Sequence, residues 1–476
     1  MSLLNKVMRP LRLTAVALCV TFAGCITPPN LGPQQQTIPT EKLGLAPQAS
    51  AVLPAQSWWS AFNDPQLDRL MQQAVADNPS LAQALARVRE AQSLADVTRA
   101  GLAPYVSFDG QETRRRLSGH DPIPQPYPGS TQWQGSVGLN LSWNIDFWGR
   151  QSALLKQALA YSTGAGLDVA GARLALSGAV AQTYIDLYRN NALADVAQRT
   201  RAQRERILEI THRRVRSGLD SNVELREASG AVPEAYVEWL QAEAATDLDT
   251  HQLAALSGQG AAAYAQVRRP TLDPGAILPL PASLPADLLG HRPDVLAARS
   301  RIEAARAGQA AAKAAFYPDI NLVAFAGTSS IGMLSNLIQG SSASYGAGPA
   351  LHLPLFDAGR LRAQYRGRLA EIDDAVTAYN QSVLQAVRET ADQLTLVEAL
   401  KVELVQQQRA LDDAEEAYRL AEERYEAGLT SYLTVLNTET AVLSARREHV
   451  ALVCDQAIAR VALLLAVGGS FDPEAP

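Results

Sequence analysis

One pattern is written twice in this chain, and a doubled pattern restricts the fold more than any single residue does. Asn78-Pro79 returns as Arg292-Pro293, and Ala103-Pro104-Tyr105 as Tyr317-Pro318-Asp319, both 214 residues later. Asp146-Phe147-Trp148-Gly149-Arg150 returns as Phe356-Asp357-Ala358-Gly359-Arg360, and Ser217-Gly218-Leu219 as Ala427-Gly428-Leu429, both 210 residues later. In each copy a helical stretch leads into two alternating strands and then into two long helices. A long fixed period marks tandem architecture, so the chain has to be read as two copies of one unit. The first copy occupies 65–258 and the second 286–469, with a linker at 259–285 and a tail at 470–476.

The N-terminal stretch stands apart from both copies. Lys6, Arg9 and Arg12 precede an apolar run from Leu13 to Ala23, eleven residues and too short to span a bilayer. Phe22-Ala23-Gly24-Cys25 follows, with small residues where signal peptidases require them. The pattern predicts a signal peptide over 1–24 and a lipid on Cys25, the form of a bacterial lipoprotein box with Phe22 in place of the usual leucine. Ile26 follows, not the aspartate that holds many lipoproteins in the inner membrane, so the outer membrane is the expected destination. Residues 25–64, rich in Pro, Gln and Thr up to 56, read as a lipidated tether. Trp58, Trp59 and Phe62 form an aromatic anchor before a helix start at Asp64-Pro65.

Three cysteines leave Cys454 without a partner once Cys19 is cleaved and Cys25 acylated, so no disulfide framework is available. The six histidines are scattered singly without metal-ligand spacing, and neither a metal nor another cofactor is expected beyond the lipid on Cys25. A net charge of −6 gives no nucleic-acid footprint. No later stretch of about 18 apolar residues stands out as a transmembrane helix. A mature chain that crosses a membrane must then cross it with strands.

Strands of the right length are present. Over 133–145, Trp133, Val137, Leu139, Leu141, Trp143 and Ile145 alternate with Gln134, Ser136, Asn140, Ser142 and Asn144. The second copy repeats this over 344–355, where Tyr345, Ala347, Leu351, Leu353 and Leu355 alternate with small or polar residues. Partner strands are predicted over about 104–116 and 319–328, joined to their mates by a Pro/Gly-rich loop and a Ser/Gly-rich loop. Transmembrane strands need about 9–11 tilted residues, which these provide.

Long helices follow each strand pair. Residues 151–216 and 361–426 contain no proline, and at 1.5 Å per residue each could reach about 100 Å. Leu176, Val180, Tyr184 and Leu187, and again Val383, Val387, Ala391 and Leu394, keep one spacing along a helical seam. Gly218 and Gly428 are placed to end these helices, and return helices are predicted over 222–257 and 432–467. The prolines between 270 and 285 exclude a continuous helix through the linker.

Four strands cannot cross a bilayer alone, because their edges would hold unsatisfied N–H and C=O groups in hydrocarbon, at several kcal/mol each. Natural barrels begin near eight strands. Closure therefore demands several copies, with a lumen between them.

At this point the chain resembles the outer-membrane efflux proteins of the TolC type, in the lipoprotein branch (OprM/NodT-like) that serves resistance-nodulation-division pumps. The resemblance runs from Cys25 to about Gly469. Its most specific pieces are Trp58-Trp59, Phe62-Asn63-Asp64-Pro65 with Leu67, the doubled Pro104/Pro318, and the run from Tyr425 to Leu436. It implies an α+β membrane protein, a homotrimer whose four-stranded sheets form one twelve-stranded transmembrane β-barrel joined to a long α-helical barrel across the periplasm. It also implies outer-membrane lipid around the barrel, and as partners a periplasmic adaptor (membrane fusion protein) and an inner-membrane pump.

By the same resemblance the helix-turn tips bind the adaptor, here through Gly218, Leu219, Asp220, Gly428, Leu429, Thr430 and Ser431. Tyr425 matches the tyrosine whose hydrogen bond narrows the family's resting pore. Thr434 and Asn437 stand where family members carry acidic rings, and Glu224 and Glu227 are their counterparts 210 residues earlier. Constriction charge is thus expected from Glu224 or Glu227, with a solvated-surface role as the alternative. Other readings remain within the sequence's reach: a type I protein-secretion channel, or a lipid-anchored periplasmic scaffold, which would leave the paired strands unexplained. No nucleophile elbow, phosphate loop or paired acid motif points to an enzyme.

Overall fold

A computed structural model describes residues 29–45, 57–120, 122–276, 278, 280, 288–332, 334–469 and 471. Cys25, the signal segment and nearly all of the 470–476 tail lie outside the described residues. The elements run α1 (Pro65–Asp77), α2 (Pro79–Ala100), β1 (Tyr105–Arg116), β2 (Thr131–Asn144), α3 (Arg150–Arg216) and α4 (Asn222–Leu256) in the first copy. The second copy supplies α5 (Leu288–His291), α6 (Pro293–Ala314), β3 (Asp319–Ile331), β4 (Ala343–His352), α7 (Arg360–Glu426) and α8 (Tyr432–Ala466). Both long helices hold 67 residues and both return helices hold 35. Strand β3 runs on to Ile331, past 328, and β4 stops at His352, short of 355. In the linker, Ala261–Gln266 form a 3₁₀ turn ahead of its prolines.

One compact unit takes residues up to 37, 88–165 and 298–379. Its centre is an antiparallel sheet in the order β1-β2-β3-β4. Register puts Phe108 opposite Leu139, Leu139 opposite Ala326, and Ala326 opposite Tyr345. Two residues along, Val106, Leu141, Ala324 and Ala347 share the next row. One face is therefore an apolar band, and the other carries Ser107, Asp109, Asn140, Ser142 and Asn321. Val323 and Phe325 interrupt the polar face. Nothing among the described residues covers the band: Phe108 is 70% exposed, Leu139 52%, Tyr345 84% and Leu351 69%. In the same unit α6 packs on α7 through Ile302, Phe316, Leu361, Tyr365 and Leu369. The part of the tether in this unit is docked, not free, because the N–H groups of Gln34 and Gln35 both donate to Asp373 Oδ1, at 2.7 and 2.8 Å.

The other unit takes 38–87, 166–297 and the chain from 380 onward. Its core gathers Trp58, Phe62, Leu67, Met71, Leu176, Val180, Tyr184, Leu187, Leu253, Cys454, Val461 and Leu464. All four residues of the first predicted seam are in it, and each buried large side chain contributes roughly 1.5–3 kcal/mol. The second seam lies slightly off its predicted line. Val383, Ala386 and Thr390 are fully buried, while Val387, Ala391 and Leu394 are half-buried. Thr390 is tolerated there because its hydroxyl donates to the Ala386 carbonyl at 2.9 Å.

Helix α8 corrects one expectation. An 18-residue window in it reaches a mean hydropathy of 1.6, long and apolar enough by composition to cross a membrane. Cys454, Ala457, Val461 and Leu464 nevertheless sit in the core just described, which accounts for its apolarity. Asp64 caps α1, accepting from Gln66 N at 2.9 Å, and its other oxygen accepts from Tyr184 and from Thr271 N at 2.8 and 2.7 Å. Burial and these donors fix the aromatic anchor, the first helix and the linker to one another.

Candidate functional site: the helix-hairpin tips

Two helical hairpins, α3–α4 and α7–α8, turn through the same six-residue design. Leu219 N–H donates to the Arg214 carbonyl at 2.9 Å and Gly218 N–H to Val215 at 3.0 Å. In the second hairpin Leu429 donates to Arg424 at 2.8 Å and Gly428 to Tyr425 at 3.0 Å. These are Schellman closures, and they place the glycines at φ +72° and +76°, where a Cβ would be strained. Leu219 and Leu429, 64% and 69% exposed, project an apolar side chain from each turn.

The hairpins differ in how they are secured. Ser221 and Glu224 form a reciprocal capping box at the start of α4, in which Glu224 accepts from the Ser221 N–H at 2.9 Å and from its hydroxyl. The Ser221 bonds hold the Glu224 carboxyl below its ordinary range. Helix α8 has no such box, since Thr434 replaces the acid and bonds Thr430 Oγ1 at 3.0 Å instead. Thr434, Asn437, Glu227 and Ser431 are exposed, and Thr430 is half-buried.

Between the hairpins lies a buried polar cluster. Tyr425, fully buried, donates to Asp220 Oδ2 at 2.6 Å and meets the Thr211 hydroxyl at 3.0 Å. Arg214 grips the same carboxylate with Nε and Nη2, at 2.8 and 3.0 Å, and donates through Nη1 to the Tyr425 carbonyl at 2.9 Å. Its guanidinium carbon also lies 4.4 Å from the centroid of the Tyr425 ring. The bidentate Arg214 bond and the Tyr425 hydroxyl hold Asp220 well below the usual carboxylate range. Burial and the neighbouring Asp220 push the Tyr425 hydroxyl up to about 12. Arg214, Asp220 and Tyr425 thus tie the end of α3, its turn and the end of α7 into one charge-assisted network.

Further along the same helices, Glu439 on α8 is buried and pairs with Arg204 Nε at 3.2 Å, while Arg204 Nη1 donates to the Ala231 carbonyl at 2.8 Å. Burial raises the Glu439 carboxyl despite this partner. Tyr432 and Val435 pack with Tyr425 in an apolar cluster beside these polar contacts.

Sequence reasoning placed Tyr425 in this region and put Asp220 among the partner-contact residues. The structure turns Asp220 inward as the counter-ion of Arg214, with 9% of its side chain exposed. Arg214, Thr211, Arg204 and Glu439 were missed. Their signal is weak, because Val215 occupies the place of Tyr425 in the first copy and no spacing rule joins residues more than 200 apart.

The hairpins, the doubled plan and the sheet all have counterparts in known proteins. The sequence profile described as "Outer membrane efflux protein" matches twice, over 70–259 and 284–469, one match per copy. Among curated proteins, the pyoverdine export outer membrane protein OpmQ of Pseudomonas putida is 30% identical, the match covering 98% of this chain and 99% of OpmQ. The fusaric acid resistance protein FusA of Burkholderia cepacia is 35% identical over 74% of this chain and 68% of its own. Among solved structures, the outer membrane protein VceC of Vibrio cholerae superposes with a TM-score of 0.82 at 32% identity, covering 88% of this chain and all of VceC.

Proposed function

As the chain belongs to the outer membrane efflux protein family, whose members are outer-membrane channels, we propose that three copies close their four-stranded sheets into one barrel and act as the exit duct of a tripartite pump. The observation that carries this reading is the uncovered apolar band beside two unpaired sheet edges. A band this exposed calls for lipid, and the outer edges of β1 and β4 call for strands from other copies. The polar face, with Ser107, Asp109, Asn140 and Ser142, then lines a lumen open to water. Each subunit is held by a lipid on Cys25, and the duct itself carries out no catalytic step and binds no cofactor.

The hairpin tips are the inner end of this duct. Leu219 and Leu429, together with Gly218, Gly428 and Ser431, form a small apolar surface suited to the helices of a periplasmic adaptor, which hands over solutes from an inner-membrane pump. The Tyr425–Asp220–Arg214 network holds neighbouring hairpins together and so keeps the tip narrow until a partner separates them. Relatives bear names for resistance to fusaric acid, export of pyoverdine and resistance to multiple drugs, and small toxic or secreted organic compounds are the proposed cargo here.

Light scattering and electron microscopy of the purified full-length protein, followed by insertion into planar lipid bilayers, test this. A threefold particle giving ion-conducting steps is expected. Monomers, or threefold particles that never conduct, would overturn the duct reading.

A further inference from the structure

The outward face of β1 changes character along its length. Val106, Phe108 and Gly110 belong to the apolar band, and Glu112, Arg114 and Arg116 follow on the same face. These three are the only charged residues on that face of the four strands, and all sit at the end where β1 turns into the loop to β2, away from the helices. Register sets Arg114 opposite Trp133 and Arg116 opposite Thr131. The Arg114 guanidinium carbon lies 5.8 Å from the Trp133 ring centroid. Neither arginine pairs with a carboxylate among the described residues.

We propose that Arg114 and Arg116, with Trp133 beside them, form a docking site for the phosphorylated headgroup of an outer-leaflet glycolipid. The proposal rests on the duct reading, which puts the helices in the periplasm and the loop ends outside. Rows from Ile320 to Gly110 then span roughly 27 Å measured along the strands, about 20 Å across the bilayer at the usual tilt of about 40°, so the band of about 25 Å that outer-membrane barrels present ends between the Gly110 row and the Trp133 row. Trp133 falls at the polar boundary, where indole rings collect, and the two arginines lie just beyond it. A lipid phosphate is the group of opposite charge that lies at this depth. The guanidinium fork matches its oxygens in a bidentate manner that ammonium groups do not reproduce. Glu112, one row nearer the band, leaves the cluster with net positive charge.

The test uses the full-length trimer in detergent, titrated with diphosphoryl lipid A and with the same lipid stripped of phosphate, and read by native mass spectrometry. Wild type should prefer the phosphorylated lipid. Arg114→Gln with Arg116→Gln should weaken that binding by about 30-fold, at roughly fivefold per arginine, while Arg114→Lys with Arg116→Lys should keep most of it. A millimolar excess of inorganic phosphate should not compete, since the acyl chains supply the rest of the affinity. Equal binding of the two lipids by wild type, or undiminished binding by the glutamine pair, would overturn the proposal. If the glutamine pair does not assemble, the wild-type preference and its loss at high salt decide alone. Conductance in planar bilayers is recorded on the same samples: a conducting trimer indifferent to the phosphate defeats only the lipid site, whereas a non-conducting one defeats the duct.

Discussion

Tyr425 donates its hydroxyl hydrogen to Asp220 at 2.6 Å, although the two residues stand in different halves of a doubled chain. The contact joins one hairpin to the other at the point where each turns. Replacing Tyr425 by phenylalanine keeps the ring under Arg214 and removes only the hydroxyl. Asp220 retains its bidentate arginine, so the loss should be about 1–2 kcal/mol of local stability. In planar bilayers Tyr425→Phe should conduct more than wild type, and Asp220→Asn, which also weakens the Arg214 pair, more still. Unchanged conductance in both would remove the network from the closing mechanism.

The same network sets a pH window. Asp220 has a folded value below its unfolded one, about 3.9. Its stabilisation is therefore complete above that value and is lost as the pH falls through the lower folded value. Tyr425 is shifted the other way, to about 12, so its contribution is complete below about 10 and disappears as the pH rises through 12. Tip conductance should accordingly stay flat from about pH 5 to 9 as far as these groups act, and rise only below about 4. A steep change near pH 6 would point to some other group.

Glu224 and Glu227 are separated by the structure. Glu224 is engaged with Ser221 as a helix cap, and glutamine can still accept at that position of a capping box, so Glu224→Gln should weaken the helix start only slightly and leave ion selectivity nearly unchanged. Glu227 is exposed with no cap to serve, and Glu227→Gln should lower any preference for cations over anions. Reversal-potential measurements in a salt gradient distinguish the two, and equal selectivity in both variants and wild type would assign Glu227 to a solvated surface.

Much of this architecture is legible in the residues because it follows from short-range rules. Alternation in β2 fixes its faces, Gly218 and Gly428 stop the long helices, and Asp64-Pro65 starts the first one. The seam of α3 was read correctly because its side chains all enter one core. The seam of α7 drifts because Thr390 can be buried once its hydroxyl finds a carbonyl, and hydrophobic pattern alone does not count threonine. The Arg214–Asp220–Tyr425 network was not legible as a whole. It depends on which hairpins become neighbours, and the repeat that reveals the fold conceals it, since the two copies hold different residues at these positions.

Arg292 and Asn78 show how the copies solve one problem with different chemistry. Asn78 Nδ2 donates to the carbonyl of Leu256, at the end of α4, at 2.8 Å, and Arg292 Nη1 to that of Ala466, at the end of α8, at 2.9 Å. Arg292 is also paired with Asp294 and with Glu389 at 2.7 and 2.9 Å. Removing a buried charge that others rely on costs about 3–5 kcal/mol, against about 1–3 for a neutral amide. Arg292→Ala should therefore lower the midpoint of thermal unfolding clearly more than Asn78→Ala. Equal shifts would mean that the acids around Arg292 find solvent once it is gone.

Leu139 and Asn140 are adjacent in β2 and point to opposite faces, which makes them the sharpest test of which face meets lipid. Leu139 lies mid-band, between Phe108 and Ala326 in register, so Leu139→Arg would place a cation near the bilayer midplane at about 2–4 kcal/mol per subunit. Three subunits multiply that cost, and the variant should fail to insert as a trimer. Asn140 bonds Asp109 on the polar face at 2.8 Å, where Asn140→Arg meets water and a carboxylate. That variant should insert normally and shift ion selectivity towards anions, because three added positive charges would ring the lumen. Reduced insertion of Asn140→Arg with normal insertion of Leu139→Arg would reverse the faces, and with them the path of every exported solute.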